Sequence, residues 1–291
     1  MASSRIVAVL GATGQQGSSV LQRLLKDGTF TPRAITRDPK SEAALKMKEQ
    51  GAEVVKADTA DKASLVNALR GSEAVFAVTL STFPPYSAEK PSEITVGKNI
   101  IDAAKEVGVK FIVFSSVPGL TKLTGGKYTK VTLYDDKEEI EEYLKASGIA
   151  NASLHLGSFT ENLWTQRNLK KTDTGFAISI PKYTPYGASI LHLGRKRRGR
   201  SISGKAYPVV TFNMSFPDLT AIISKALGKE VTFNSIPSTG NPAYDEMFAA
   251  QAEYNGFYTS TPVPNPDLTA LGAKFGTIEE LVETELKKRY Q

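Results

Sequence analysis

The stretch Ile6-Val-Ala-Val-Leu-Gly11-Ala-Thr-Gly14-Gln-Gln-Gly17-Ser-Ser-Val20 decides the reading of the fold. An apolar run too short for a helix of its own meets three glycines spaced three apart, and the apolar-periodic segment Val20 to Leu25 follows at once. That order reads as strand, tight turn, helix. Gly11 can take the positive φ of the turn, Gly14 leaves no Cβ between backbone and ligand, and Gly17 lets the helix approach the strand closely. The first-turn N–H groups then converge on one point, where the helix dipole favours a phosphate. A glycine triplet alone is weak. With a strand before it and a helix after it, the triplet points to a dinucleotide pyrophosphate site.

Composition narrows the classes around this motif. The chain has 291 residues, enough to bury a full core as one large domain or as a principal domain with a smaller lobe. Hydrophobic residues make up 41% and charged residues 23%, the range of globular proteins rather than disordered ones. No apolar run approaches a membrane span, and Met1-Ala-Ser-Ser leads directly into the first strand, so the expectation is a cytoplasmic protein without membrane attachment. With no cysteine there is no disulfide, thiolate or cysteine-ligated metal, and two histidines do not suggest a histidine-rich metal site. The net charge of +6 suits an anionic ligand but is too mild an excess to decide anything.

Beyond the first helix, Pro32 to Thr36 reads as a second strand that ends in Arg37-Asp38-Pro39. Arg37 lies twenty residues after Gly17, where a dinucleotide fold places either an acidic group for the ribose 2′-hydroxyl or an arginine for a 2′-phosphate. A guanidinium pairs with phosphate bidentately, so the expected cofactor is NADP(H). The bland alternative is a surface arginine paired with Asp38. Ser41 to Gln50 reads as helix, Glu53 to Ala57 as strand, Asp61 as the cap of a helix to Leu69, and Ala74 to Thr79 as a buried strand. Strands without clean alternation, separated by helices, imply a parallel sheet covered on both faces. Asp58 and Thr79 then stand at strand ends, on the rim where such sheets bind ligands, although turn or cap chemistry accounts for either one equally well. Pro91 to Val107 reads as a long helix, Lys110 to Phe114 as the fifth strand, Asp135 to Ser147 as a helix and Asn151 to Leu156 as the sixth strand. The expected architecture is an α/β doubly wound sheet of order 3-2-1-4-5-6, with its ligand residues on the carboxyl edge.

Several blocks in the right order resemble the NmrA-like family, atypical members of the short-chain dehydrogenase/reductase superfamily. They are Gly11-Ala-Thr-Gly14-Gln-Gln-Gly17, Thr36-Arg37-Asp38-Pro39, the helix around Asp135-Asp-Lys137 to Tyr143-Leu, and Phe159-Thr-Glu161-Asn162-Leu163. The resemblance is good from residue 5 to 165 and looser through Phe216-Pro-Asp218-Leu219 to the C-terminus. It implies an NADP(H)-binding Rossmann domain over residues 1–164 and a smaller α+β lobe over 165–291, some of whose elements return to the main domain. It also implies roles. Gly11, Thr13, Gly14, Gln15, Gln16 and Gly17 would hold the pyrophosphate and Arg37 the 2′-phosphate. Asp58 and Thr79 would lie around the adenosine, Leu80 would also bind the cofactor, and Lys137, Phe159 and Asn162 would lie on the nicotinamide side.

One departure bears on function. Catalytic members of the superfamily carry a tyrosine four residues before the lysine, and here that position is Leu133. Tyr134, three before Lys137, shares its face if the helix has begun there, so Lys137 and Tyr134 are the catalytic candidates. Redox-sensing regulators of the family lack the tyrosine and keep the lysine, and reductases of the isoflavone-reductase type also manage without it. The expectation is therefore a redox-sensing NADP(H)-binding regulator that acts through a protein partner. The alternative is an NADPH-dependent reductase of a small carbonyl, enone or quinone. Lys137 has a bland reading as a solvated helix lysine among glutamates, and His155 reads as a core histidine. Ser115 and Ser116 read as ordinary strand-end serines. The run Arg195 to Arg200 has three readings: an unpartnered charged loop, a nuclear import signal, or a surface for an acidic partner. Without interleaved aromatics or a DNA-reading module it argues against sequence-specific DNA binding. Toward the C-terminus, Tyr207 to Phe212 and Val231 to Phe233 read as strands, and Phe216 to Leu227, Pro242 to Tyr254 and Ile278 to Arg289 as helices. Thr277 and Glu280 are spaced for a capping box on the last of these.

Overall fold

A computed structural model describes residues 5–81, 91–165, 168–181, 202–254, 256–258 and 261–290. The elements run β1 (Ile6–Val9), α1 (Gln15–Asp27), β2 (Thr31–Thr36), α2 (Glu42–Glu49), β3 (Glu53–Lys56), α3 (Lys62–Leu69), β4 (Ser72–Ala77), α4 (Glu93–Glu106) and β5 (Phe111–Ser116). Then follow α5 (Leu120–Leu123), α6 (Thr132–Ala146), β6 (Ala150–Leu156), α7 (Asn162–Thr165), β7 (Leu169–Lys171), β8 (Gly175–Pro181) and β9 (Lys205–Val209). The chain ends with α8 (Phe216–Leu227), β10 (Glu230–Ile236), α9 (Pro242–Glu253), α10 (Pro266–Ala270), α11 (Ile278–Leu281), a π-helical turn (Val282–Leu286) and α12 (Lys287–Tyr290).

The principal sheet has the order β3-β2-β1-β4-β5-β6-β9, which is the expected doubly wound order with one strand added at the edge. The first five strands pair in parallel throughout. The added strand β9 runs the same way as β6. Gly204 donates to the Asn151 carbonyl and Gly157 to the Val209 carbonyl, so the two chains ascend together. The segment read as a strand from Tyr207 to Phe212 thus begins two residues earlier and stops at Val209.

Each face of the sheet has its own core, because successive side chains of a strand point to opposite faces. Ala8 and Leu10 join Leu65, Leu69, Ile100, Phe114, Ile140 and Leu144, the layer under α3, α4 and α6. Val9 joins Ala12, Leu21, Ala34, Met47 and Phe76, the layer under α1 and α2. Near-continuous apolar strands are the consequence of burial on both sides.

Packing divides the chain into two compact units, neither of them continuous. One comprises residues 1–119, 133–154 and 202–206, and the other residues 120–132, 155–201 and 207–291. The second contains a separate sheet of order β10-β8-β7, in which β10 and β8 are parallel and β7 is antiparallel to β8. Its core gathers Phe176, Ile178, Leu219, Ile223, Val231, Leu281 and Leu286. Thr277 and Glu280 form the capping box anticipated from their spacing. The helix read as continuous to Arg289 carries the π-helical turn in its middle.

The glycine turn is sterically exacting. Gly11 has φ +62°, and a Cβ on Gly17 would lie 2.2 Å from the Gly11 carbonyl oxygen. A Cβ on Gly14 would meet the same oxygen at 3.3 Å, a tight but accommodable distance. Gly17→Ala is therefore expected to lower stability by about 2 kcal/mol and Gly14→Ala by about 1 kcal/mol or less, read from denaturant midpoints at constant slope.

Candidate functional site

In a parallel sheet every strand ends on the same edge, so the residues that follow β1 to β5 share one rim. Gly11, Thr13, Gly14, Gln15 and Gln16 follow β1, Arg37 follows β2, Asp58 follows β3, Thr79 and Leu80 follow β4, and Ser115 and Ser116 close β5. Lys137 reaches the same rim from α6, since its ammonium bonds to Thr79.

At the first crossover, α1 starts on Gly14, which offers no side chain to cap the helix. α2, α3, α4, α8 and α9 start differently: Ser41, Asp61, Ser92, Ser215 and Asn241 each accept a first-turn N–H. Uncapped first-turn N–H groups, no Cβ and the positive end of a 13-residue helix make a cradle for an anion. Gln16 is tied to the end of β5, where the Ser115 hydroxyl donates to its Oε1 at 2.7 Å.

Arg37 is exposed and has no hydrogen bond or ion pair among the described residues. The pairing with Asp38 does not form, because Asp38 Oδ1 accepts the Lys40 N–H at 2.9 Å. Asp58 is exposed and its Oδ1 accepts the Ala60 N–H, which is turn chemistry. Leu80 is 78% exposed beside the buried Thr79.

Lys137 is not the solvated helix lysine of the bland reading. It lies on the inner face of α6 with Ile140 and Leu144, and its side chain is 11% exposed. Its Nζ donates to Glu93 Oε1 at 2.6 Å, Thr79 Oγ1 at 3.0 Å and the Thr79 carbonyl at 3.2 Å. The Thr79 hydroxyl in turn donates to Glu93 Oε1 at 2.5 Å. Glu93 has a fully buried side chain, and its Oε2 has no hydrogen-bond partner among the described residues. The Lys137 ammonium also stands 6.0 Å from the centre of the Phe114 ring, within cation–π range.

Glu93 was missed in reading the sequence. It follows the Ser92 cap in the first turn of α4, where an acidic residue reads as ordinary dipole chemistry. The signal that could have found it is Lys137 itself: the 137, 140, 144 spacing puts an ammonium on an apolar face, which demands a buried carboxylate nearby.

Tyr134 stands within α6, whose helix begins at Thr132, so it shares a face with Lys137. Burial pushes its hydroxyl up to about 12, and the group keeps its proton at neutral pH. Phe159 and Asn162 follow β6 and belong to the other compact unit, where the Asn162 N–H donates to the Phe159 carbonyl at 3.1 Å. His155 is half-buried in β6. The run Arg195 to Arg200 lies outside the described residues. Among the described residues no cluster of histidine or acidic side chains could hold a metal, and no helix is long and apolar enough to cross a membrane.

A parallel sheet in this order, with a glycine turn feeding an uncapped helix at the first crossover, defines a Rossmann-type α/β protein. The chain belongs to the NmrA-like family, whose model matches residues 3–288. It is 31% identical over 277 residues to an NmrA-like family domain-containing protein of Dictyostelium discoideum, covering 87% of this chain and 89% of that protein. It is 32% identical over 258 residues to the NmrA-like family domain-containing oxidoreductase cpsB of Aspergillus campestris, covering 80% and 76% of the two. The oxidoreductase FrzB of Cladobotryum is 41% identical over 145 residues, a match that spans 49% of this chain and only 43% of FrzB. Among solved structures, the negative transcriptional regulator NmrA in complex with NADP superposes with a TM-score of 0.76 at 17% identity, over 99% of this chain and 97% of that one. The NADPH-dependent quinone oxidoreductase QOR2 of Escherichia coli, solved with NADPH, gives 0.71 at 24% identity, over 95% and 98%. These likenesses are of fold.

Asp136, next to Lys137, is pushed up to about 6 by burial, with the charges of Glu93, Glu139 and Asp135 adding to the effect. A carboxyl that holds its proton more tightly when folded lowers stability as pH rises from its unfolded value through its folded one. Asp136→Asn is therefore expected to stabilise the protein at pH 7 by about 1 kcal/mol after solvent screening. The gain should shrink as pH falls below 6 and vanish near 4, which denaturant melts at a series of pH values will show.

Proposed function

We propose that this protein binds NADP(H) along the carboxyl edge of the principal sheet and uses it as an NADPH-dependent oxidoreductase. The observation that carries the binding reading is the pairing of an uncapped, Cβ-free helix start at Gly14 with a guanidinium at Arg37 that has no partner among the described residues. In this reading Gly11, Thr13, Gly14, Gln15, Gln16 and Gly17 cradle the pyrophosphate, and Arg37 pairs with the 2′-phosphate. Asp58, Thr79 and Leu80 line the adenosine region, Leu80 offering its exposed apolar surface to a base or ribose. Lys137 serves the nicotinamide side.

The oxidoreductase reading is supported by the names of relatives such as cpsB and FrzB, and by Tyr134. NADPH, when bound, supplies a hydride for an electrophilic carbon, and the substrate class is a small carbonyl, enone or quinone. The proton that completes such a reduction needs a donor, and Tyr134 keeps its own on the face of α6 that carries Lys137. A second reading has a specific observation in its favour. All three donors of the Lys137 ammonium are engaged inside the protein, an arrangement that suits a regulator sensing the cofactor and passing its state to a protein partner.

Calorimetric titration should give tighter binding of NADPH than NADH, with the preference lost in Arg37→Ala; equal affinities in the unaltered protein would remove the argument from Arg37. NADPH consumption, followed by absorbance against quinones, enones and aldehydes, separates the two readings. Turnover that is lost in Lys137→Met and falls about a hundredfold in Tyr134→Phe supports the reductase. Tight binding with no turnover across the panel supports the regulator.

A further inference from the structure

Glu93 and Lys137 are 44 positions apart in the chain and meet in the interior, with the Glu93 side chain fully buried and that of Lys137 nearly so. A buried ammonium needs a counter-charge; Glu141, one turn along α6, pairs with Lys145, and Glu93 Oε1 supplies the charge at 2.6 Å. Three features fix that carboxylate. It sits in the first turn of α4, where the helix dipole favours a negative charge. The Thr79 hydroxyl donates to the same Oε1, which sets its orientation. A Cβ on Gly97, one turn further along α4, would lie 2.6 Å from Ile140, so α4 and α6 approach closely enough for the pair to reach.

The ammonium has three hydrogens and three acceptors here. Two of the bonds, to Glu93 Oε1 and Thr79 Oγ1, anchor Nζ at the carboxyl end of β4. The third, to the Thr79 carbonyl, is the longest at 3.2 Å, and its hydrogen can turn to a ligand hydroxyl while the other two hold.

We propose that Glu93 is a positioning residue for the nicotinamide end of the bound dinucleotide: it touches no ligand and acts by holding the Lys137 ammonium at the carboxyl edge of the sheet. The inference rests on the reading above that Lys137 serves that end.

A double-variant cycle tests it. Glu93→Gln keeps the shape and an acceptor oxygen and removes only the charge, Lys137→Met removes the ammonium, and the pair removes both. NADPH affinity is read from the nicotinamide fluorescence. The reference ligand is 2′-phospho-ADP-ribose, which has the adenosine, the 2′-phosphate and the pyrophosphate but no nicotinamide. The expected result is that each single variant weakens NADPH binding about tenfold, that the double variant is no weaker than Lys137→Met alone, and that the reference ligand changes less than about twofold in all three. The double variant should also melt above Glu93→Gln, because it leaves no unpaired buried charge. If Glu93→Gln does not fold, Glu93→Asp, which keeps the charge but shortens its reach to the ammonium, is expected to weaken NADPH severalfold and spare the reference ligand.

Wild-type NADPH affinity in Glu93→Gln and Glu93→Asp, with Lys137→Met impaired, would overturn the role of Glu93 and leave that of Lys137 standing. Equal loss of both ligands in Glu93→Gln would reduce Glu93 to a structural group. Unchanged NADPH binding in Lys137→Met would overturn the reading beneath the inference and the inference with it.

Discussion

The 2.2 Å that would separate a Gly17 Cβ from the Gly11 carbonyl is the constraint on which the rest of the candidate site depends. Backbone atoms at that point leave no room for any side chain, so the turn, the helix start and the end of β1 are held as one piece. α1 can then begin immediately beyond the strand, and its first-turn N–H groups face the rim rather than a capping side chain. The parallel topology does the remaining work. Each crossover returns the chain to the opposite edge, so the ends of β2, β3, β4 and β5 add their residues to the same rim.

What sequence could and could not reveal follows from the range of each interaction. Glycine spacing, helix caps such as Asp61 and Thr277, and the apolar strands are local, and they are written within a few residues. The order of the first six strands is an inference of the same kind, since right-handed crossovers leave few alternatives. Glu93 belongs to another class. Its meaning comes from Lys137, 44 positions away, and that partnership exists only once β4 and β5 have brought α4 beside α6. The edge strand β9 is hidden for a similar reason. Its five residues pair with β6 across more than fifty intervening positions, and nothing in Lys205 to Val209 says which sheet it joins. The pair β7 and β8, in the second unit, has no turn signal strong enough to announce a hairpin.

The two cationic side chains of the site differ in a way that separates their roles. Arg37 is exposed and unpartnered among the described residues, so it contributes little to the folded state and is free to pair with an incoming dianion. Lys137 is the opposite. Removing one partner of a buried pair costs about 3–5 kcal/mol, whereas replacing both by well-packed apolar groups is often neutral or better. A pair that stability does not require, on a face shared with Ile140, Leu144 and the ion-paired Glu141, points to a demand other than stability. Thr79 shows where that demand lies. Its hydroxyl and carbonyl both face the pair, so the last residues of β4, the start of α4 and the inner face of α6 are joined at a single ammonium.

That junction also accounts for the behaviour of Asp136. A second carboxyl beside the pair is desolvated by burial and gains little from Lys137, whose hydrogens are directed to Glu93 and Thr79. Asp136 therefore resists ionisation where an exposed aspartate would not. The acidic stretch from Asp135 to Glu142 is thus not one solvated face. Glu138 packs near Gly119, Glu139 pairs outward with Lys98, and Glu141 is buried and ion-paired with Lys145. Charge on this helix is sorted by depth. Outward pairs with little net stabilisation give solubility, and of the inward charges Lys137 stands where the carboxyl ends of the strands meet.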